Sequence, residues 1–301
     1  MNVLAMASKL GSSCGYITRV SDDPMGDYLL DSWRRLDMDV SEAKQMRGFN
    51  AFQFYSPASA AEGQKINYRA GSVASGMVPD DVDPDYVRGA RLLHVSAISQ
   101  GISPACRQTV LRAVKIAHGS NVIVSYDTNL RLNLWSVEEA RQALDEVLPY
   151  VDIILPSHPH ESQALVGLDS APEVIDYFLC KGVQIVALKC GEAGGWVGTR
   201  KGMGSVAAVA PRGVFDTAGA GDTFVGGFVH CITEGMDPFE AIRWAVASAG
   251  LKVGGHGIVG QPTREEVEAC LGSVKVVGAA PGPGPRARYP FSPAICSRCQ
   301  A

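Results

Sequence analysis

The chain has 301 residues, 46% hydrophobic and 19% charged, with a net charge of −4. That is an ordinary globular mix, enough for one large domain or two small ones, and a pI of about 5.9 excludes a general binder of nucleic acid or anionic membranes. No apolar run reaches the roughly 18–20 residues of a membrane span, and the first residues show no apolar stretch with a cleavage site, so a cytoplasmic protein is expected.

In chain order, "NVLAMASKLG" has helical apolar spacing and stops at Gly11, a natural helix end. "CGYITRV" predicts a strand. "DDPMGDYLLDSWRRLDM" predicts an amphipathic helix with Leu29, Leu30, Trp33 and Leu36 on one face. "AFQFYSP" and "KINYRAGSVA" are aromatic and β-prone, and predict a hairpin. Then a βα rhythm sets in: "RLLHVSAI" as a buried strand, "PACRQTVLRAVKIAHG" as a helix, "NVIVSYDTN" as a strand, "SVEEARQALDEVLPYV" as a helix and "DIILPS" as a strand. "SAPEVIDYFLCKG" follows as a helix and "VQIVALKCG" as a strand. Such alternation predicts a parallel sheet wrapped by helices, with ligands beyond the carboxyl ends of the strands. Ser96, Asp127 to Arg131, Ser157 and Lys189 to Gly191 fall at those ends. "TFVGGFVHCITEGMDPFEAIRWAVASAGLKV" predicts a buried helix, a turn and a second helix. "GQPTREEVEACL" predicts a short helix with Thr263 and Glu266 as a capping box. Residues 275–301 are rich in Pro, Gly and Ala and are expected to form a disordered tail after a domain spanning 1–274.

Six of the eight cysteines are scattered singly through apolar contexts and read as reduced thiols. Cys296 and Cys299 form a lone CxxC pair, and a zinc site would need a second pair of ligands.

The segment "FDTAGAGDTFVGGF" carries the chemistry. It reads as the end of a strand, a glycine turn and a helix start. Helix N-termini present unpaired N–H groups and partial positive charge, and a Gly-Ala-Gly turn lets the N–H groups of residues 219 to 222 converge on one anion. That suits the charge that builds on a phosphoryl group in transfer. Asp222, at the mouth of the same turn, is suited to take a proton from the attacking hydroxyl. A dinucleotide fold would carry its Gly-rich turn after the first strand and without this acid, and the GxxxxGK[ST] of a P-loop is absent. Asp222 as a plain helix cap is the structural alternative.

"DTAGAGDTFVGGF" resembles the C-terminal signature of ribokinase-like sugar kinases. The resemblance runs from about residue 2 to about 270. "MASKLG", "SDDPMG" (with Ser21 where the family has Gly) and "IVALKCGEAGG" contribute to it. Within the family, "YRAGSVAS", "LLHVSAIS" and "YDTNLRLNLWS" look most like 2-keto-3-deoxygluconate kinases. The resemblance implies a three-layer α/β/α sandwich with a mostly parallel central sheet and a small β lid over approximately residues 50–73. It implies ATP- and Mg²⁺-dependent phosphorylation of the terminal hydroxyl of a sugar acid, with Asp222 as base and Gly219, Ala220 and Gly221 as anion hole. Arg69 and Arg131 would meet the substrate carboxylate, as guanidinium groups suit carboxylates, with Tyr68 beside them as a ligand contact or as lid packing. Asn129, Lys189, Gly191 and Gly194 would lie on the nucleotide side, with Ser248 and Gly257 towards adenine. Glu161 would help to organise Mg²⁺ through water, and Asp216 would order the turn and lie near a monovalent cation. A homodimer through the lid is also implied. Fructokinase- or ribokinase-type activity is the alternative within the family, and an inactive fragment that only binds is the alternative outside it.

The sequence departs from the family in two places. Members usually begin earlier, with a strand carrying a substrate-binding acid and then a Gly-Gly-x-x-x-Asn turn. Here Met1-Asn2 looks like the end of that turn, so the first strand is expected to be absent. In "LPSHPHESQAL", His158 stands where the family often has Asn, three positions before Glu161. His158 and His160 at the start of a helix read as a polar helix start in preference to a shared metal site.

Overall fold

The computed structural model describes residues 1–55, 65–209, 217–255 and 260–278. Helix α1 (Asn2–Lys9) opens the chain, and Gly11 follows it at φ +101°. Strands β1 (Cys14–Gly15) and β2 (Thr18–Ser21) come next; helix α2 (Pro24–Arg34) begins at Asp23, whose carboxylate accepts from Met25 N and Gly26 N. β3 (Met38–Asp39) pairs in parallel with β1, and β4 (Ala43–Met46) with β2. The lid strands β5 (Phe52–Tyr55) and β6 (Lys65–Tyr68) are antiparallel, as the aromatic pattern predicted. Helix α3 (Pro84–Arg88) leads into the main sheet.

The main sheet alternates with helices: β7 (Leu92–Ser96), α4 (Ala97–Gly101), α5 (Pro104–Gly119), β8 (Ile123–Asp127), α6 (Val137–Val147), β9 (Ile153–Ile154), α7 (His160–Val166), α8 (Ala171–Cys180) and β10 (Ile185–Lys189). β11 (Gly195–Thr199) and β12 (Gly202–Val206) close it, giving the order β12-β11-β10-β9-β8-β7. β7 to β10 pair in parallel, and β11 pairs antiparallel with both β10 and β12. α9 (Ala220–Thr233), α10 (Pro238–Lys252) and α11 (Arg264–Cys270) complete the chain, and Thr263 and Glu266 form the expected capping box.

β10 shows why this is a three-layer sandwich. All five of its residues are buried. Ile185 and Ala187 point into one core with α1, α9 and α10, while Val186 and Leu188 point into the other with α5, α6 and α8. Alternate residues of a strand face opposite sides, so a continuous apolar run is the signature of a strand covered on both faces.

Two local expectations change, and one hairpin appears that the sequence reading leaves unassigned. β7 forms the sheet edge, with all five residues only partly buried, because among the described residues it pairs with β8 alone. The β11–β12 hairpin carries no β-branched pattern at Gly195, Gly198, Gly202 and Gly204. Gly195 and Gly198 serve tertiary packing, a Cβ on Gly198 lying 2.1 Å from Ile175 Cγ2, while Gly202 has open space and stands at φ +140° in the turn. The chain also continues in order past 274. Ala207 N donates to Lys275 O (2.9 Å) and Val277 N to Ser205 O (2.9 Å), so residues 275–278 run along β12. The rest of the expected tail, with Cys296 and Cys299, lies outside the described residues, as does the lid tip at 56–64.

Candidate active site

The site forms where the carboxyl ends of β8 and β10 meet the N-terminus of α9. Gly219, the cap of α9, stands at φ +79°, a conformation that favours glycine. Thr223 N closes the first helical bond onto Gly219 O at 2.8 Å. Asp222 lies in the first turn, as expected, and Gly219, Ala220 and Gly221 lie beside it. α1 reaches this turn because α9 has no side chain at Gly226. A Cβ there would sit 2.5 Å from Met6 Cβ and 2.6 Å from Val3 O. The close approach brings Asn2 Nδ2 to donate to Asp222 Oδ2 at 2.6 Å.

On the sheet side, Asp127 is almost fully buried and pairs with Lys189 across β9. Burial pushes the Asp127 carboxyl up to about 6, against the opposing pull of Lys189. The loop after β8 then turns sharply. Asn129 adopts φ +23°, its N–H donates to Asp127 Oδ1 (3.2 Å), and its amide reaches Asp127 Oδ2 (3.4 Å) and Asp222 Oδ1 (3.5 Å). Asparagine tolerates this left-handed region better than most residues. Glu161 braces the loop by accepting from Thr128 Oγ1 (2.5 Å), Leu130 N (2.9 Å) and Ser157 N (2.9 Å). Both its oxygens are therefore already engaged, which suits an outer-shell role better than direct metal ligation. His158 Nδ1 hydrogen-bonds with Ser162 Oγ at 2.8 Å, within the helix start.

Arg69 follows the second lid strand and Arg131 follows the β8 loop. Burial first, and then the neighbouring charge of Arg131, hold the Arg69 guanidinium below its usual value. No salt bridge among the described residues engages either arginine. Tyr68 stacks on Phe52, with ring centres 4.9 Å apart, and meets Phe54 edge-on at 5.9 Å, so its ring is part of the aromatic lid packing.

The other expected residues divide. Lys189 ends β10 beside the turn, 3.9 Å from where a Cβ on Gly221 would be. Gly191, at φ +54°, has open space on its Cβ side. A Cβ on Gly194 would lie 2.1 Å from Val206 O, so that face is closed by backbone and the residue acts here as a turn glycine. Ser248, expected towards adenine, is fully buried against Gly227 between α9 and α10. Asp216 and Gly257 lie outside the described residues.

Two residues went unassigned from sequence. In the sequence Asp127 is one polar residue among several at a strand end, and nothing in the pattern marks it as the partner of Lys189. Lys252 is a lysine with 1% exposure whose Nζ donates to Gly255 O (3.3 Å) and whose stem passes 4.0 Å from a Cβ built on Gly219. A lysine inside the apolar end of α10 was its available signal.

The profile of the family described as "pfkB family carbohydrate kinase" matches residues 1–264. A 2-dehydro-3-deoxygluconokinase from Thermoproteus tenax is 33% identical over 261 residues, covering 85% of this chain and 78% of its own. A PfkB protein from Polaromonas sp. JS666 superposes with a TM-score of 0.81 at 27% identity, covering 89% of this chain and 87% of that one. A putative ribokinase II from E. coli, solved with ATP and Mg²⁺, shares the fold with a TM-score of 0.83 at 24% identity, over 90% and 87% of the two chains.

Proposed function

Because the chain belongs to the pfkB family of carbohydrate kinases, we propose that it transfers the terminal phosphoryl group of ATP to the end hydroxyl of 2-keto-3-deoxygluconate. The observation that carries the acidic substrate is the Arg69–Arg131 pair, two guanidinium groups near enough to repel, with no salt-bridge partner among the described residues. A carboxylate between them relieves that repulsion and accepts charge-assisted hydrogen bonds from both. The name of the Thermoproteus tenax relative supports the same substrate.

Asp222 takes the proton of the hydroxyl as its oxygen attacks the γ-phosphorus. The new P–O bond forms as the bond to ADP breaks, and the start of α9 at residues 219–222, where Ala220 N is itself bonded to Thr217 O, faces the charge on the phosphoryl oxygens. Asn2 and Asn129 hold the carboxylate from two sides. Mg²⁺ would neutralise phosphate charge, with Glu161 acting on it through water, since its own oxygens already accept three hydrogen bonds. Lys189 and Gly191 serve the nucleotide side.

ADP release from purified protein with Mg-ATP, over a panel of 2-keto-3-deoxygluconate, fructose and ribose, tests this. The acid is expected to be the preferred substrate, and Arg131→Ala to lower kcat/KM for it by about 10–100-fold, the loss of one charge-assisted contact. Equal use of the neutral sugars would overturn the assignment of the substrate.

A further inference from the structure

Asp127 has no assigned part in this chemistry, yet it touches the groups around the base. We propose that Asp127 is a positioning residue for Asp222: it holds the Lys189 ammonium on β10 and the Asn129 amide in the β8 loop, so that an amide, and no direct ion pair, meets the base. The inference rests on the kinase reading above.

The geometry is specific. One oxygen of Asp127 accepts from Lys189 Nζ and from Asn129 N, and the other from the same Asn129 amide that reaches Asp222. The stem of Lys189 passes close to Gly221, so its ammonium starts from the neighbourhood of the glycine turn. Among the described residues no salt bridge engages Asp222. A lysine paired directly with Asp222 would depress its pKa and weaken it as a base. The buried Asp127 competes for that lysine and wins because its alternative is an uncompensated buried charge.

Other charged and titratable groups face the cluster from every side. Glu161 from α7 and Asp222 from α9 add negative charge near Asp127. Lys252 from α10 lies near Gly219. The Met1 amino group on α1 feels the charge of Asp222. His94 on β7 is kept neutral by burial, its pKa pulled down to about 3.

The test combines kinetics with ¹³C NMR titration of aspartate carboxyls, the Asp222 signal being assigned by its loss in Asp222→Asn. In Asp127→Asn, kcat is expected to fall at least about tenfold with KM for the sugar acid within about threefold. The Asp222 midpoint should move down by about one unit as Lys189 turns to it. Asp127→Asn/Lys189→Met removes both charges and should return the midpoint towards wild type, with kcat effects that do not add to those of the single variants. Should the single variant fail to fold, the double variant and Asn129→Gly remain. Asn129→Gly keeps the ion pair, removes the amide and should move the midpoint up. An unmoved midpoint in these variants, or additive kcat effects, would overturn the inference. A wild-type protein that phosphorylates no sugar would sink the kinase reading alone, because the NMR midpoints still decide the role of Asp127.

Discussion

Asp222 is where a single atom decides the outcome. Its carboxylate is met by Asn2 and Asn129 and sits in the first turn of α9. Asp222→Asn keeps the shape, with Gly219 still capping α9, but the amide cannot take a proton. Its kcat is expected to fall by about 10²–10⁴-fold, with the melting temperature and sugar KM little changed. Steady-state kinetics beside a thermal melt checks this, and a variant with near-normal kcat would exclude Asp222 as the base. The acid and its glycines were legible because a glycine turn ending in a carboxylate has few purposes. Asn2 and Asp127 were not legible as its neighbours, since they reach it from 220 residues away in one case and through the Asn129 turn in the other.

At the scale of elements, two contacts hold the site's frame. Gly226 lets α1 lie against α9. Gly226→Ala should force the helices apart, lowering stability by about 1–3 kcal/mol and lowering kcat as Asn2 withdraws from Asp222; denaturant unfolding and kinetics on one preparation measure both. The second contact ties β2 and β4 to the turn that precedes α3. Asp81 accepts from Val78 N (2.8 Å) and pairs with Arg19 (2.7 Å) and Lys44 (3.5 Å). Burial works to raise its pKa, but the Val78 hydrogen bond, then Arg19 and Lys44, bring it below the ordinary carboxylate value. A carboxyl whose folded pKa is depressed stabilises the fold above its unfolded value, about 3.9, and that contribution is lost as pH falls through the folded value. Asp81→Asn should therefore cost about 1.5–3 kcal/mol at neutral pH and flatten the fall of melting temperature below about pH 4. An unchanged acid limb would show that other carboxyls carry it.

At the scale of the whole molecule, the lid presents an apolar face. Phe52 and Phe54 on β5 alternate with polar neighbours and share a face with Ile66 and Tyr68 on β6; the four are 47–60% exposed. The opposite face carries Gln53 hydrogen-bonded to Asn67. Exposed apolar ribbons of this kind are surfaces on which proteins commonly associate. We propose a lid-to-lid dimer, and Phe54→Asp is expected to give a monomer by sedimentation velocity; a wild-type monomer at micromolar concentration would remove the proposal. Among the described residues, no helix is long and apolar enough to cross a membrane.

The sequence by itself determined what local chemistry can encode. The βα alternation, the capping box at Thr263, the aromatic hairpin and the glycine turn before Asp222 each depend on residues close together in the chain, where periodicity and turn stereochemistry operate. Tertiary structure alone decided which strand forms the sheet edge, why β11 and β12 need glycine, and that Ser248 is sealed between helices. It also decided that Asp127 answers Lys189. Those outcomes depend on what packs against each residue from a distance, and burial and close approach become defined only once the layers are stacked.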